Sequence, residues 1–302
     1  MNNLPKREKR DFSSGQALLL VLLSMAVVLT IVLSILSRSV TDVAISSREE
    51  EALRAFSAAE AGIEKAIIIG TSLGETEIGN ATFTTNVSSF AEGSQEFANP
   101  VGLLAGEVNT VWFMAHNQDG NLSCSAEKPC FTGRNVKVCW GKEGTAGGTA
   151  TTPALEVSVF YADPAGSSNY KIAREVLDPN STRTSTNNFS APDSGTCTIS
   201  GENYAFQKTI DLSTLGIPAA SYSTQGGLQF AHLRMFYNTD MTHPIGISVA
   251  LAGNTLLPAQ GVAIESSGKS GEANRRISVF QSFGEIPEIF NGAVFSLGGL
   301  TK

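Results

Sequence analysis

The chain has 302 residues, with 21 Lys and Arg against 28 Asp and Glu, and a formal net charge of −7 at pH 7. This acidic balance gives no support to nucleic-acid binding, because proteins that bind phosphate backbones concentrate Lys and Arg on one face. Beyond an N-terminal leader and helix, roughly 230 residues remain, which is enough for one large or two small domains.

An uncharged apolar segment dominates the N-terminal region. No charged residue lies between Asp11 and Arg38, and Ala17–Ser37 is almost purely apolar. An α-helix needs about 20 apolar residues to cross the hydrocarbon core of a bilayer. Basic residues precede the segment, so the positive-inside rule predicts a cytoplasmic leader at residues 1–15. A secretory signal is disfavoured, because its apolar region is shorter and a small-residue cleavage site follows it.

The helical pattern continues beyond the apolar segment. No Gly or Pro interrupts the chain from Gln16 up to Gly62. A stripe with a period of about 3.5 residues predicts an amphipathic helix. Its members are Ile45, Ala52, Phe56, Ala59, Ile63 and Ala66. We therefore predict one helix from Gln16 to about Ile69, and we expect most of the stripe to pack on the protein's own sheet.

The remainder of the chain predicts β-strands separated by Gly-, Pro- and Ser-rich breakers. The predicted strands are Ala81–Phe90, Val108–His116, Asn135–Trp140, Ala154–Ala162, Tyr170–Leu177, Ala205–Leu212, Leu228–Tyr237, Ile245–Leu251, Gly261–Ser266 and Arg276–Phe283. Asp178–Ser194, rich in Thr, Ser and Asn, is predicted to be a long exposed loop. No series of strands alternates with helices of ten or more residues, which disfavours a parallel α/β sheet.

The predicted fold class is therefore α+β. A long N-terminal helix spans residues 16–70, with its transmembrane half at 16–37, and a β-rich antiparallel head outside the cytoplasm spans residues 71–302. The leader at residues 1–15 completes the predicted domain organisation.

Four cysteines lie in the predicted extracellular head, at Cys124, Cys130, Cys139 and Cys197. An even number outside the cytoplasm favours disulfides. The spacing contains no C-x-x-C pair, which argues against a structural zinc site. Three connectivities are possible. We favour Cys124–Cys130 as a small loop and Cys139–Cys197 as a clamp between two long breaker segments.

No motif of a known catalytic site is present, so the sequence predicts neither an enzyme nor a cofactor. His116, His232 and His243 are scattered without ligand spacing, and we expect them at the surface or at strand ends. Asn117–Asn121 (NQDGN) resembles the start of a calcium loop, but Leu122 and Lys128 stand where an EF-hand needs Gly and Glu. An Asp-Gly hairpin turn is the simpler interpretation, and no metal site is predicted.

Two segments resemble the N-terminal region of PilX-type minor pilins of type IV pili. They are Gly15–Leu20 (GQALLL), which opens the apolar segment, and Arg54–Ile63 (RAFSAAEAGI). The resemblance covers residues 1 to about 70. It implies cleavage by a prepilin peptidase after Gly15, methylation of the new amino terminus at Gln16, and insertion into a helical fibre. The candidate helix-packing residues are Leu20, Phe56, Ala59, Glu60 and Ile63.

The chain departs from the major-pilin pattern at two positions. The first mature residue would be Gln16 rather than an aromatic residue. The fifth would be Leu20, where major pilins carry a glutamate that pairs with a neighbour's amino terminus. The resemblance therefore implies a minor component rather than the repeating unit of the fibre.

The sequence predicts a minor pilin or pseudopilin of a type IV pilus or related machine, acting in assembly or initiation and in adhesion. The alternatives are a membrane-tethered adhesin or binding module with a pilin-like anchor, and a surface enzyme. The expected partners are other pilins, the prepilin peptidase, the inner-membrane assembly platform and membrane lipid, with no nucleic acid. The expected location is the cytoplasmic membrane, with a single pass and the head outside, and then the cell surface after assembly.

Overall fold

The computed structural model describes residues 13–117 and 120–284, with side chains from residue 17 onward. In chain order the elements are α1 Ser13–Ile69, β1 Leu73–Ile78, β2 Ala81–Phe90, β3 Glu96–Ala98, β4 Val108–Trp112, β5 Asn135–Lys142, β6 Ala154–Ala162, β7 Tyr170–Leu177, α2 Ser181–Asn187, β8 Cys197–Ile199, β9 Glu202–Asp211, α3 Ala219–Tyr222, β10 Leu228–Phe236, β11 Ile245–Ser248, β12 Gly261–Ser270 and β13 Ala273–Ser282. The described residues divide into two compact units, those up to 86 with 265–277, and 87–264 with those from 278 onward.

The first unit is built on the long helix α1. Its 57 residues correspond to about 85 Å at 1.5 Å per residue. The helix ends at Gly70, whose φ of +73° suits a residue without a Cβ, and whose N–H donates to the Ala66 carbonyl at 2.8 Å. The predicted helix from Gln16 to about Ile69 is confirmed.

The sheet that begins in the first unit has the strand order β1-β2-β12-β13. Strands β1 and β2 form an antiparallel hairpin in which Ile78 faces Ala81. Gly79 lies at the first position of the two-residue turn with a φ of +58°, a conformation that favours glycine.

The second unit is a sandwich of two sheets, with strand orders β4-β10-β6-β7 and β3-β11-β5-β9-β8. The strand pairs within both sheets are antiparallel. Alternate side chains of each strand face the opposite sheet, so one hydrophobic core forms between them. The core contains apolar side chains from both sheets, among them Val111, Leu155, Leu233, Val138, Trp140 and Ile247. The α+β class, with a long apolar helix before an antiparallel β-rich part, is confirmed.

Each of the ten predicted strands overlaps an observed one, but some ends differ. β4 stops at Trp112 rather than His116, because Phe113 and Met114 both donate to the Gln229 carbonyl and interrupt the ladder. The short strands β1, β3 and β8 were not predicted. Two of them have three residues each, too few for an alternating pattern to stand out.

The prediction of one long loop at Asp178–Ser194 is wrong. The helix α2 forms within it, because Asn180 caps its start by accepting hydrogen bonds from the N–H groups of Thr182 and Arg183. Asp178 at the beginning of this segment is buried rather than exposed.

All three histidines are buried, so the expectation of a surface position is wrong, while His243 lies two residues before the start of β11. His232 lies in the middle of β10, opposite Thr110 and Ser158. His243 accepts a hydrogen bond at Nδ1 from the Lys142 N–H at 3.0 Å. A polar ring is accommodated inside when a backbone group supplies its partner.

Candidate functional site: the apolar segment and the helix seam

The apolar segment, Ala17–Ser37, forms the first part of α1 with its side chains exposed all round. Its Leu, Ile, Val and Met side chains are between 48% and 66% exposed. Within the described residues, α1 is long and apolar enough to cross a membrane, with a mean hydropathy of 3.0 in its most apolar stretch. Exposed apolar surface of this extent is rare in water-soluble monomers and marks contact with a membrane or another protein.

Two polar side chains within the apolar segment, Ser24 and Thr30, bond to the helix itself. The Ser24 hydroxyl donates to the Val21 carbonyl at 2.9 Å, and the Thr30 hydroxyl donates to the Val27 carbonyl at 2.8 Å. A polar group in hydrocarbon is costly unless it is paired. These internal bonds therefore let both hydroxyls face an apolar surrounding.

The second part of α1 packs on its own sheet through a narrow line of residues, here called the helix seam. Its members are Ala55, Ala58, Ala59, Gly62, Ile63 and Ala66, all buried. The helix seam includes three members of the predicted stripe, namely Ala59, Ile63 and Ala66. Phe56 does not, since it is 44% exposed while Ala55 beside it is fully buried.

Glycines in and opposite the helix seam explain why it lies on the small residues rather than on Phe56. A Cβ placed on Gly268 of β12 would collide with the Ala55 carbonyl oxygen and lie 2.6 Å from the Ala59 nitrogen. A Cβ on Gly62 would meet the Ser266 hydroxyl and come within 2.8 Å of the Phe83 ring. Helix backbone and sheet therefore approach so closely that no large side chain fits between them.

The candidate helix-packing residues fall into two groups. Ala59 and Ile63 are buried on the protein's own sheet. Leu20, Phe56 and Glu60 are exposed, so they remain accessible to a neighbour, and their packing in a fibre stays a prediction. The exposed apolar surface continues past the apolar segment, at Leu53, Phe56, Ile67 and Ile68.

The candidate cleavage junction lies at the beginning of α1. The backbone of Gly15 and Gln16 is helical, while their side chains lie outside the described part of the chain. Residues 1–12 of the predicted leader lie outside it as well. Cleavage and methylation at this junction stay predictions.

The four cysteines form the two disulfides that the sequence favoured. Cys124 and Cys130 have Cα atoms 5.3 Å apart, and those of Cys139 and Cys197 are 6.2 Å apart. The second bond joins β5 to β8, which are both neighbours of β9. It packs in a small cluster with Ile199 and Tyr204. Paired cysteines are typical of proteins outside the reducing cytoplasm.

The segment considered as a calcium loop contains a turn. The Asn117 N–H donates to the Asn121 carbonyl at 2.9 Å, and the Asn121 N–H donates to the Asn117 side-chain oxygen at 2.9 Å. Gln118 and Asp119 lie outside the described residues. Among the described residues, His, Cys, Asp and Glu form no group of three or more that could hold a metal ion.

An ion pair that the sequence analysis missed, between the buried Asp178 and the partly exposed Arg183, fixes α2. The Arg183 guanidinium donates to the Asp178 carboxylate at 2.8 and 3.0 Å, and to the carbonyls of Ala150 and Thr152 at 2.8 and 2.7 Å. Its charge also lies 4.0 Å from the centre of the Tyr237 ring. A buried charge is tolerated when it is paired and hydrogen-bonded in this way. The sequence did contain one sign of the helix α2. Asn180, three positions before Arg183, is of a residue type favoured at the N-cap of a helix.

Burial shifts the titration of several groups in the second unit. The pKa of His116 lies below its ordinary value because burial disfavours the charged ring and Lys128 adds repulsion. The pKa of His243 is lowered chiefly by burial. The pKa of the Tyr204 hydroxyl is raised by burial and by Glu202, to which it donates at 3.2 Å. Burial is the largest cause of the pKa shift in each of the three groups.

Comparison with known protein families, curated proteins and solved structures finds no match to this chain.

Proposed function

We propose that this chain is a PilX-like minor pilin or pseudopilin, anchored in the cytoplasmic membrane by α1 and carrying its β-rich part outside. The observation that carries the proposal is the change of environment along one unbroken helix. The apolar segment is exposed on every side, and the helix seam that follows is buried against the protein's own sheet. A pilin needs both properties, because its helix must sit in a bilayer before assembly and hold a soluble head afterwards.

Two further observations support the proposal. The Gly15–Leu20 junction stands at the cytoplasmic end expected for prepilin cleavage, directly before the apolar segment. Both disulfides lie in the part of the chain that the proposal places outside the cytoplasm. Oxidised cysteines fit that side of the membrane.

Processing of the leader tests the proposal against its main rival, a static membrane-tethered adhesin. Mass spectrometry of the protein purified from membranes should give a chain that begins at methylated Gln16. Gly15→Glu should abolish this shortening, because the peptidase must approach a residue without a side chain. Ser14→Ala serves as a matched control that leaves the glycine in place. A wild-type chain that begins at Met1 would support the static anchor instead.

The proposed minor role follows from Leu20. A positively charged amino terminus inside an apolar bundle is costly unless a carboxylate pairs with it. Leu20 offers no carboxylate to a neighbour, so the chain suits a position at the tip or start of a fibre, where it would initiate assembly. Leu20→Glu should increase its incorporation along the shaft, measured as subunits per major pilin in sheared fibres. A wild-type stoichiometry near that of the major pilin would contradict the minor role.

A further inference from the structure

Five triplets of the form Asn-x-Ser or Asn-x-Thr lie in the β-rich part of the chain, none with Pro at the middle position. They begin at Asn80, Asn86, Asn121, Asn180 and Asn188. This triplet is the acceptor sequence for N-linked glycosylation, which attaches a sugar chain to exposed asparagines outside the cytoplasm. The proposed function places all five triplets on that side of the membrane, so the structure must decide which asparagine is able to react.

Asn180 is excluded by its burial. It is only 5% exposed, and it is the N-cap of α2. Its side-chain oxygen accepts hydrogen bonds from the N–H groups of Thr182 and Arg183, and its Nδ2 donates to the Thr149 carbonyl at 3.0 Å. A transferase would have to break these bonds and leave buried polar groups without partners, which is costly.

Three of the exposed triplets are held by backbone hydrogen bonds. Asn86 lies within β2, which has a neighbouring strand on each side. The backbone N–H and carbonyl of Asn121 both bond to Asn117. Asn188 precedes Ser190, whose backbone N–H and carbonyl are both hydrogen-bonded at the end of β7. A transferase requires an acceptor segment that leaves the protein surface, so these three triplets are poor substrates.

Asn80 differs from the other four asparagines because it forms the tip of a hairpin. It is exposed and is the second residue of the two-residue turn between Ile78 of β1 and Ala81 of β2. Among the described residues, no hydrogen bond involves its side-chain amide. A Cβ added to its neighbour Gly79 would meet no atom within 4 Å, so the space around the turn is open. Because β1 is an edge strand of only six residues, this tip opens locally at little cost.

We propose that Asn80 is an N-linked glycosylation site, with Thr82 as the hydroxyl residue that the transferase recognises. The donor is a sugar chain joined through pyrophosphate to a membrane lipid. The Nδ2 atom of Asn80 forms a bond to the anomeric carbon of the sugar, the bond from that carbon to the phosphate oxygen breaks, and the lipid pyrophosphate leaves. A base of the transferase takes the proton that Nδ2 loses. The proposal rests on the proposed location of the β-rich part outside the cytoplasm.

A sugar chain on Asn80 would also change the surface beside it. Asn80 lines a groove of about 490 Å³ between α1 and the hairpin, together with Leu53 and Ile78. Leu53 is 69% exposed and Ile78 is 45% exposed. A bulky polar group at the rim of this groove would cover apolar side chains that are otherwise in contact with water.

Mass spectrometry of peptides from the full-length chain tests the proposal, with the protein purified from the membranes of its own host. The peptide that contains Asn80 should carry the mass of a sugar chain, and fragmentation should place that mass on the asparagine. The peptide that contains Asn180 should be unmodified in the same digest. Asn80→Gln and Thr82→Ala should each abolish the modification, whereas Thr82→Ser keeps the hydroxyl and should retain it.

An unmodified Asn80 in a chain whose two disulfides are formed would overturn the proposal and leave the proposed location intact. An unmodified Asn80 in a chain with four free thiols would overturn both. A sugar chain that persists in Thr82→Ala, or that occurs on Asn180 to the same extent, would overturn the proposal as well, because the triplet and its exposure would then not select the acceptor.

Discussion

The two parts of α1 use apolar residues in opposite ways. The apolar segment has large side chains, Leu, Val, Ile and Met, and leaves them exposed. The helix seam is buried and consists of four alanines, a glycine and one isoleucine. In a water-soluble protein the largest apolar side chains are expected in the most buried positions.

The difference shows that hydrophobicity and burial are set by separate requirements along the same helix. In the helix seam the requirement is distance, because Gly268 and Gly62 bring helix and sheet backbones together. In the apolar segment the proposed function requires a surface that avoids water, which a bilayer would satisfy. Membrane retention and stability of the folded head should therefore respond to different substitutions.

The largest expected effect is the loss of membrane retention when charged residues are placed in the apolar segment. Met25→Arg with Leu29→Arg should release the protein from membranes, because each Arg at a helix centre costs about 2.5–3.5 kcal/mol. Leu53→Arg with Ile68→Arg places the same charge on exposed positions of the second part of α1. That control should stay in the pellet after alkaline carbonate extraction. Equal release of both variants would remove the distinction between the two parts of the helix.

Loss of the Cys139–Cys197 bond should destabilise the head without affecting membrane retention. The bond closes a loop with a sequence separation of 58, for which chain entropy predicts about 4 kcal/mol. Cys124 and Cys130 are separated by only 6 positions, so their replacement should cost less, about 2 kcal/mol. Urea unfolding of the two double Cys→Ala variants in detergent gives the comparison. Equal losses of stability in the two variants would contradict the expectation that the larger loop contributes more.

A single methyl group added to β12 opposite the helix seam should have the next largest effect on stability. Gly268→Ala places a Cβ against the Ala55 carbonyl oxygen, and such overpacking typically costs about 1–3 kcal/mol. Gly74→Ala in β1 is the matched control, since a Cβ added there would meet no atom within 4 Å. Hydrogen exchange of residues 55–66 should accelerate in the first variant alone. Unchanged protection would mean that the helix backbone can move away without loss.

Acidification should have the smallest effect on the free energy of unfolding, and this effect should again be confined to the head. The pKa values of His116 and His243 are lowered, so the unfolded chain takes up protons more readily than the folded one. The stability that the neutral rings contribute is therefore complete above the ordinary pKa of about 6.5 and is lost as the pH falls below it toward the lowered values. Urea midpoints at several pH values should follow this course, and His243→Gln should flatten it. A midpoint that rises on acidification would contradict this sign.

Patterns that repeat over many residues were predictable from the sequence. The length of α1 follows from an interval without Gly or Pro, and ten strands follow from alternation and turn residues. The favoured disulfide pairs also agree with the structure. The sequence predicted Phe56 on the buried face of the helix, whereas the structure has Ala55 there. This difference was not predictable, because it depends on Gly268, more than 200 residues away in sequence.

Features that rest on individual tertiary contacts were missed for the same reason. Asp178 and Arg183 look like solvated residues of a polar loop, and the burial of Asp178 depends on its pairing with Arg183, which the carbonyls of Ala150 and Thr152 hold in place from another part of the chain. The burial of His243 similarly depends on the backbone of Lys142 in another strand. Local sequence carries no information about such partners.

The helix seam also determines how the first unit would bear a mechanical load. Gly62 lies opposite Ser266, Ala55 and Ala59 lie opposite Gly268, and Glu51 lies opposite Gly271. From Glu51 to Gly62 the helix rises about 16 Å, which matches the extended length from Ser266 in β12 to Gly271 just after it. The helix and strand therefore run alongside each other in opposite directions. Tension applied along the helix axis through the apolar segment would load these contacts together in shear. A pull perpendicular to the axis would load them one after another, so single-molecule pulling should give the higher rupture force in the first geometry.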